Sequence, residues 1–148
     1  LSHNLRPPGL DAYGLAAALE GLCHDFNAHS ALSLHFSGED LPDLDPLAAL
    51  SLYRFAQEAV TNAVKHAAAE EIQVELTQQL DKIVLTVIDD GVGFVPPDLE
   101  EAIPANGAGL VGMVERLEMV GGHLTIDAKP GEGSRLTAVV PTTNEEKE

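Results

Sequence analysis

KIVLTVIDDGVGF, residues 82–94, places a strand and a turn back to back. Residues 82–89 alternate as a strand does. Asp89-Asp90-Gly91-Val92-Gly93 follows at once. Paired glycines reach backbone conformations that other residues resist, and they let a ligand come close to the main chain. An acid at the end of a strand, beside such a turn, can accept a hydrogen bond from a ligand amine. The competing interpretation is a plain Asp-Gly turn.

Outward from this stretch the same alternation recurs. EIQVELTQ (71–78) precedes it across Gln79-Leu80-Asp81, so the two strands pair as a hairpin. Residues 123–128 and 134–140 form a second strand pair around Lys129-Pro130-Gly131-Glu132-Gly133, and ALSLHF (31–36) is a short strand near the start. Helical spacing fills the intervals. Leu15, Leu19, Leu22 and Phe26 predict an amphipathic helix over 14–29, preceded by a break at Arg6-Pro7-Pro8-Gly9. Residues 46–68 are the longest helical candidate, with Asp45 suited to the cap and Pro46 to the first turn. A third helix is predicted over 110–120, stopped by Gly121-Gly122. Residues 90–109, rich in Gly, Pro and acids, are expected to be a long functional loop. The predicted fold class is α/β: a two-layer sandwich with a mixed, mostly antiparallel sheet and helices on one face.

Composition narrows the function. The chain has 148 residues, 8 Lys plus Arg against 24 Asp plus Glu, and a net charge of −16. That balance argues against nucleic-acid binding by phosphate neutralisation and against docking on anionic membranes. A hydrophobic fraction of 45% supports a packed core. One cysteine, Cys23, allows neither an internal disulfide nor a cysteine metal cluster, which suits a reducing compartment. No secretory signal or membrane-spanning run stands out. Leu1 in place of Met leads us to expect a piece of a longer protein.

Three local patterns carry chemistry. On the 46–68 helix, Arg54, Glu58, Asn62 and Lys65 recur at spacings of three and four, which puts them on one face, opposite Phe55, Ala59 and Ala63. An amide oxygen suits a hard cation and an ammonium suits phosphate, although a solvated helix face has the same look. Asp89 with Gly91 and Gly93 is the second pattern. The third, Gly107-Ala108-Gly109-Leu110-Val111-Gly112, matches a dinucleotide fingerprint by letter, with Asp127 downstream. That fingerprint must follow a buried strand, and here it follows loop sequence. Free N–H groups at a helix start, where phosphate binds well, are the better physical interpretation. His24, His29, His35 and His123 show no ligand spacing, and Cys23, Met113 and Met119 are expected to be packing residues.

Taken together, in this order, the patterns resemble the ATP-binding domain of sensor histidine kinases, in the superfamily that includes gyrase, MutL and heat-shock chaperone ATPases (the Bergerat fold). YRFAQEAVTNAVKHA (53–67) resembles the N box, DDGVGF (89–94) the G1 box and GAGLVGMVERL (107–117) the G2 box. Lys65-His66, the Gly-Met-x-Glu-Arg run at 112–116 and a short lid are most similar to the nitrate-sensor and DesK-like branch. LRPPGLDAYGLAAAL (5–19) resembles the end of that branch's dimerisation helix and its linker. The resemblance covers nearly all of residues 5–141. It implies three parts: 1–28 as helix end and linker, 29–141 as the ATP-binding domain, and 142–148 as a frayed tail.

The resemblance also implies roles. Asn62 ligates Mg2+, Glu58 orients the metal shell or a water, and Lys65 and His66 face the phosphates. Asp89 accepts from the adenine amino group, and Gly91 and Gly93 shape the adenine pocket. Gly107, Gly109, Leu110 and Gly112 frame the lid, expected over 94–108, and the phosphate site. Ser134 stands where the family more often has Thr, and its hydroxyl keeps an adenine-side contact in this implied site. The implied reaction moves the γ-phosphoryl of ATP to a histidine on an adjacent dimerisation domain, then to an aspartate of a response regulator. The parent protein would be a homodimer with this part in the cytoplasm, whether or not it carries a membrane anchor. His3 is not expected to be the acceptor: Pro7-Pro8-Gly9 breaks its helix, Asn4 replaces the usual neighbouring acid, and no second helix fits before Asn62. An anti-sigma-type serine kinase and a non-catalytic nucleotide sensor are the alternatives. The linker-like 5–15 opposes the first, and intact boxes oppose the second.

Overall fold

The computed structural model describes residues 8–29, 31–39, 41, 44–66, 69–91, 105–128 and 131–142; for 8–13, 66 and 105–110 it describes the backbone alone. In chain order the elements are α1 (Pro8–His29), β1 (Ser33–Gly38), α2 (Pro46–His66), β2 (Glu71–Gln79), β3 (Lys82–Asp89), α3 (Ala105–Met119), β4 (His123–Ala128) and β5 (Ser134–Pro141). The strands form one five-stranded sheet in the order β1-β2-β3-β5-β4. β1 and β2 are parallel and joined by α2, and every other neighbouring pair is antiparallel. This is the α/β sandwich expected, with β4 on its expected bounds.

Period two explains the sheet. Ile72, Val74 and Leu76 of β2, and Ile83, Leu85 and Val87 of β3, turn to one face and are buried there. Leu136, Ala138 and Val140 continue that face on β5. Over it lie Leu19 of α1, Leu52, Phe55 and Val60 of α2, and Met113 and Leu117 of α3, all buried. Each fully buried side chain of this size contributes about 1.5–3 kcal/mol. The other sheet face carries Glu71, Gln73, Thr125 and Asp127, exposed.

Local chemistry sets the helix ends. The Asp45 carboxylate accepts hydrogen bonds from the Leu47 and Ala48 N–H groups at 3.0 and 3.2 Å and caps α2. α3 ends on Gly121 at φ +82°, with the Gly122 N–H donating to the Leu117 carbonyl at 2.8 Å.

Several expectations need correction: β1, expected over 31–36, runs over Ser33–Gly38. α1 begins at Pro8, because Pro is tolerated in a first turn, and its interruption falls at Gly14 (φ 90°, ψ 173°). α3 begins at Ala105, within the stretch expected to be loop. Met119 is 84% exposed and is no packing residue, because it sits on the last turn of α3 beyond the apolar face of Met113 and Leu117. Cys23 is buried as expected, and burial first, then the charge of Glu20, pushes its thiol up to about 11. It therefore stays protonated at neutral pH. Residues 92–104 and His3 lie outside the described residues, so the expected lid does so for most of its length.

Candidate nucleotide site

Topology gathers the candidate residues at one end of the sandwich. Asp89 ends β3 and pairs in register with Ile72, at the start of β2, and with Ser134, the first residue of β5. Because β1 and β2 are parallel, α2 must run back to the start of β2. Its last turns, with Asn62, Lys65 and His66, therefore lie at the Asp89 end. α3 begins at this end too, since β4, which follows it, starts opposite Val139 at the far end.

Asp89 is the best-defined part of the site. Its side chain is buried, 8% exposed, and both carboxylate oxygens have partners. Oδ1 accepts from the Gly91 N–H at 2.8 Å, and Oδ2 accepts from the Ser134 hydroxyl at 2.5 Å. Two bonds from opposite sides fix the plane of the carboxylate. An ionised carboxylate offers about four lone-pair sites, so acceptor capacity remains for a ligand donor. Ser134 thus orients Asp89, a role the sequence did not disclose because 45 residues separate the two.

The approach of β5 depends on Gly133. It holds φ +75°, and a Cβ there would overlap the carbonyl oxygen of Asp89. Only a glycine lets Ser134 come alongside Asp89 by this route.

Asp90 faces the other way. Its Oδ1 accepts from the Glu70 and Glu71 N–H groups at 2.8 and 3.1 Å, tying the end of β3 to the chain that leaves α2 for β2. These bonds, Glu71 first, hold its carboxyl below the ordinary value of 3.8. A lowered folded-state pKa gives stability that is present above 3.8 and lost as pH falls through the folded-state value. Asp90→Asn keeps an acceptor oxygen but no charge. The melting temperature of the unsubstituted chain should exceed that of Asp90→Asn at neutral pH, with the gap closing in acid. Thermal melts from pH 7 down to pH 2.5 check this; a gap that widens in acid would contradict it.

Glu58 and Asn62 are half-buried on α2 and Lys65 is exposed, while Phe55, Ala59 and Ala63 behind them are buried. The predicted stripe therefore faces away from the sheet core. Arg54 donates to the Gln57 side chain at 3.3 Å. Gly112 lies on α3 beneath the Arg116 guanidinium. Gly107, Gly109 and Leu110 fall inside α3, which corrects the expectation that both glycines precede the helix. The N–H of Gly107 is among the first four, without an intrahelical partner, whereas that of Gly109 is not. Gly93 lies outside the described residues. A cavity of about 130 Å3 lined by His35, Glu71, Gln73, Ile88, Asp89 and Asp90 adjoins this end and is too small for a nucleotide. Among the described residues no cluster of His, Cys, Asp and Glu could hold a metal ion.

The profile of the family "Histidine kinase-, DNA gyrase B-, and HSP90-like ATPase" matches residues 48–144, so the chain belongs to that family. It is 34% identical over 148 residues to "Signal transduction histidine-protein kinase/phosphatase DegS" of Brevibacillus brevis, spanning 97% of this chain and 36% of that protein. It is 37% identical over 143 residues to "Sensor histidine kinase MctS" of Rhizobium johnstonii, spanning 95% of this chain and 30% of the other. The chain thus spans about a third of the length of these relatives. Among solved structures it resembles a blue-light-activated histidine kinase of Erythrobacter litoralis, with a TM-score of 0.73 at 20% identity over 89% of this chain and 46% of that one. That likeness concerns the fold.

Proposed function

We propose that the chain is the ATP-binding catalytic part of a two-component sensor histidine kinase. The observation that carries this is the buried Asp89 carboxylate, fixed by Gly91 and Ser134 at the sheet end where α2 and α3 converge. The donor chemistry fits the group. A fixed acceptor suits an adenine amine, the amide oxygen of half-buried Asn62 suits Mg2+, and Lys65 with the α3 N-terminus suits phosphate. Glu58 would orient the metal shell, and His66, Gly91, Gly93, Gly107, Gly109, Leu110 and Gly112 would line the nucleotide. Bound ATP would supply the transferable γ-phosphoryl group.

The ATP-binding part ends at 141, with 142–148 a tail, and it takes in the stretch of α1 whose Leu15, Leu19 and Leu22 pack into the core; the chain ahead of that stretch would be the end of a dimerisation helix and linker. The acceptor histidine belongs to the adjacent dimerisation domain of a homodimeric parent, and the onward acceptor is an aspartate of a response regulator. The names of the relatives support a signal-transducing histidine kinase, and none of the described helices is long and apolar enough to cross a membrane. A cytoplasmic location follows from a need for ATP.

Calorimetry with ATP and Mg2+ tests the binding function; absence of binding would overturn it. With γ-labelled ATP and Mg2+, the chain alone should form no acid-labile phosphohistidine. Label on His3, abolished by His3→Gln, would place the acceptor within this chain instead.

A further inference from the structure

The two edges of the sheet are treated differently. On β1, the backbone of Ser33 faces β2, where its N–H donates to Glu70, so the N–H and C=O of Leu34 face outward. Both are taken by one side chain. Asn27 of α1 donates from Nδ2 to the Leu34 carbonyl at 2.9 Å and accepts at Oδ1 from the Leu34 N–H at 2.8 Å. The amide stands in for a neighbouring strand and blocks that edge.

Among the described residues β4 has no such block. The Thr142 N–H donates to Asp81, beyond the end of β3, so the backbones of residues 138 and 140 face β3 and those of 137 and 139 face β4. In the β4–β5 register, His123 lies opposite Val139 and Thr125 opposite Thr137. The backbone groups of Leu124 and Ile126 therefore face outward, and among the described residues nothing bonds to them. HLTIDA carries no Pro and no Lys, and its register is unbroken, so three of the devices that protect an edge are missing from this strand.

We propose that β4 is an interface with a second copy of this chain, pairing antiparallel about a two-fold axis at Thr125 to join two sheets into one of ten strands. The sequence is self-complementary in that register. Leu124 meets Ile126 of the copy as a hydrogen-bonded pair, twice, satisfying the free backbone groups and matching apolar side chains on the helix-covered face. Thr125 meets its own counterpart, and His123 meets Asp127 of the copy, both as the closer, non-hydrogen-bonded type. A neutral imidazole still donates one N–H to that carboxylate. Asp127 already faces Arg135 on β5, so it would lie between two donors. A shift by one residue in either strand would set apolar side chains against the exposed face. The interface leaves Asp89 uncovered, because β5 lies between β4 and β3.

Sedimentation equilibrium and cysteine cross-linking test this register. The chain should be a reversible dimer. Thr125→Lys, which sets like charges opposite one another at the axis, should weaken it about tenfold or more while ATP binding persists. Thr125→Cys should oxidise to a covalent dimer, because non-hydrogen-bonded partners lie within disulfide reach. His123→Cys and Asp127→Cys should each fail alone and cross-link when combined in one chain. The unsubstituted chain, with Cys23 buried, is the control. A monomer up to millimolar protein overturns the proposal, as a β4 edge covered by another segment or kept for a foreign strand would give. So does a dimer indifferent to Thr125→Lys, or Asp127→Cys cross-linking as readily as Thr125→Cys.

Discussion

Asp89→Asn should cost the chain about tenfold to a hundredfold in ATP affinity. The substitution preserves shape and leaves an amide oxygen to accept from either Gly91 or Ser134. It removes the charge from a buried acceptor, and hydrogen bonds to charged groups contribute about 1.5–3 kcal/mol. The nucleotide preference should change as well. Guanine presents a carbonyl oxygen where adenine presents its amine, so in the unsubstituted chain two acceptors would oppose each other and ATP should displace GTP easily. The asparagine amide can rotate to donate, so the ATP-to-GTP ratio should fall in the variant. Competition calorimetry measures both. Equal binding of ATP and GTP by the unsubstituted chain would remove Asp89 from the adenine pocket.

The second large effect belongs to Asn62→Ala. Mg2+ should tighten ATP binding, and the variant should lose that increment, about tenfold to a hundredfold for one metal or charged contact. Asn62 is half-buried on α2, whose packing rests on Phe55, Ala59 and Ala63 behind it, so the truncation leaves the core intact. Titrations with Mg2+ and with EDTA separate the metal-dependent part from the rest. An unchanged Mg2+ dependence would sink the metal role of Asn62.

Strand alternation made most of this fold legible. Lys82–Asp89 and His123–Ala128 carry their period in six to eight consecutive residues, and the structure keeps both on the expected bounds. α3 was legible only from Leu110 onward. Gly107 and Gly109 are poor helix formers, yet Ala105 and Ala108 favour helix, and Met113 and Leu117, buried against the core, anchor the element. The Asn27 bonds to Leu34 leave no periodic trace, because a side chain that imitates a strand does so once. The site divides similarly. Asp89 and the α2 stripe were visible through local spacing and family resemblance, whereas the bond from Ser134 to Asp89 spans 45 residues and the staple from Asp90 spans 19 and 20. Contacts of that range have no signature in a short window of sequence.

The seam between β3 and β5 has a kinetic consequence. β2–β3 and β4–β5 are both hairpins of neighbouring strands, whereas joining β3 to β5 closes a loop of dozens of residues. Loop-closure entropy makes such a union slower than either hairpin. Asp89 and Ser134 sit on opposite sides of that seam, so the acceptor carboxylate acquires its final orientation only when the two hairpins merge. A nucleotide held there favours the merged state by mass action. Ligand should therefore slow global unfolding more than it speeds the formation of either hairpin, and the half-life of the folded chain becomes a readout of nucleotide supply.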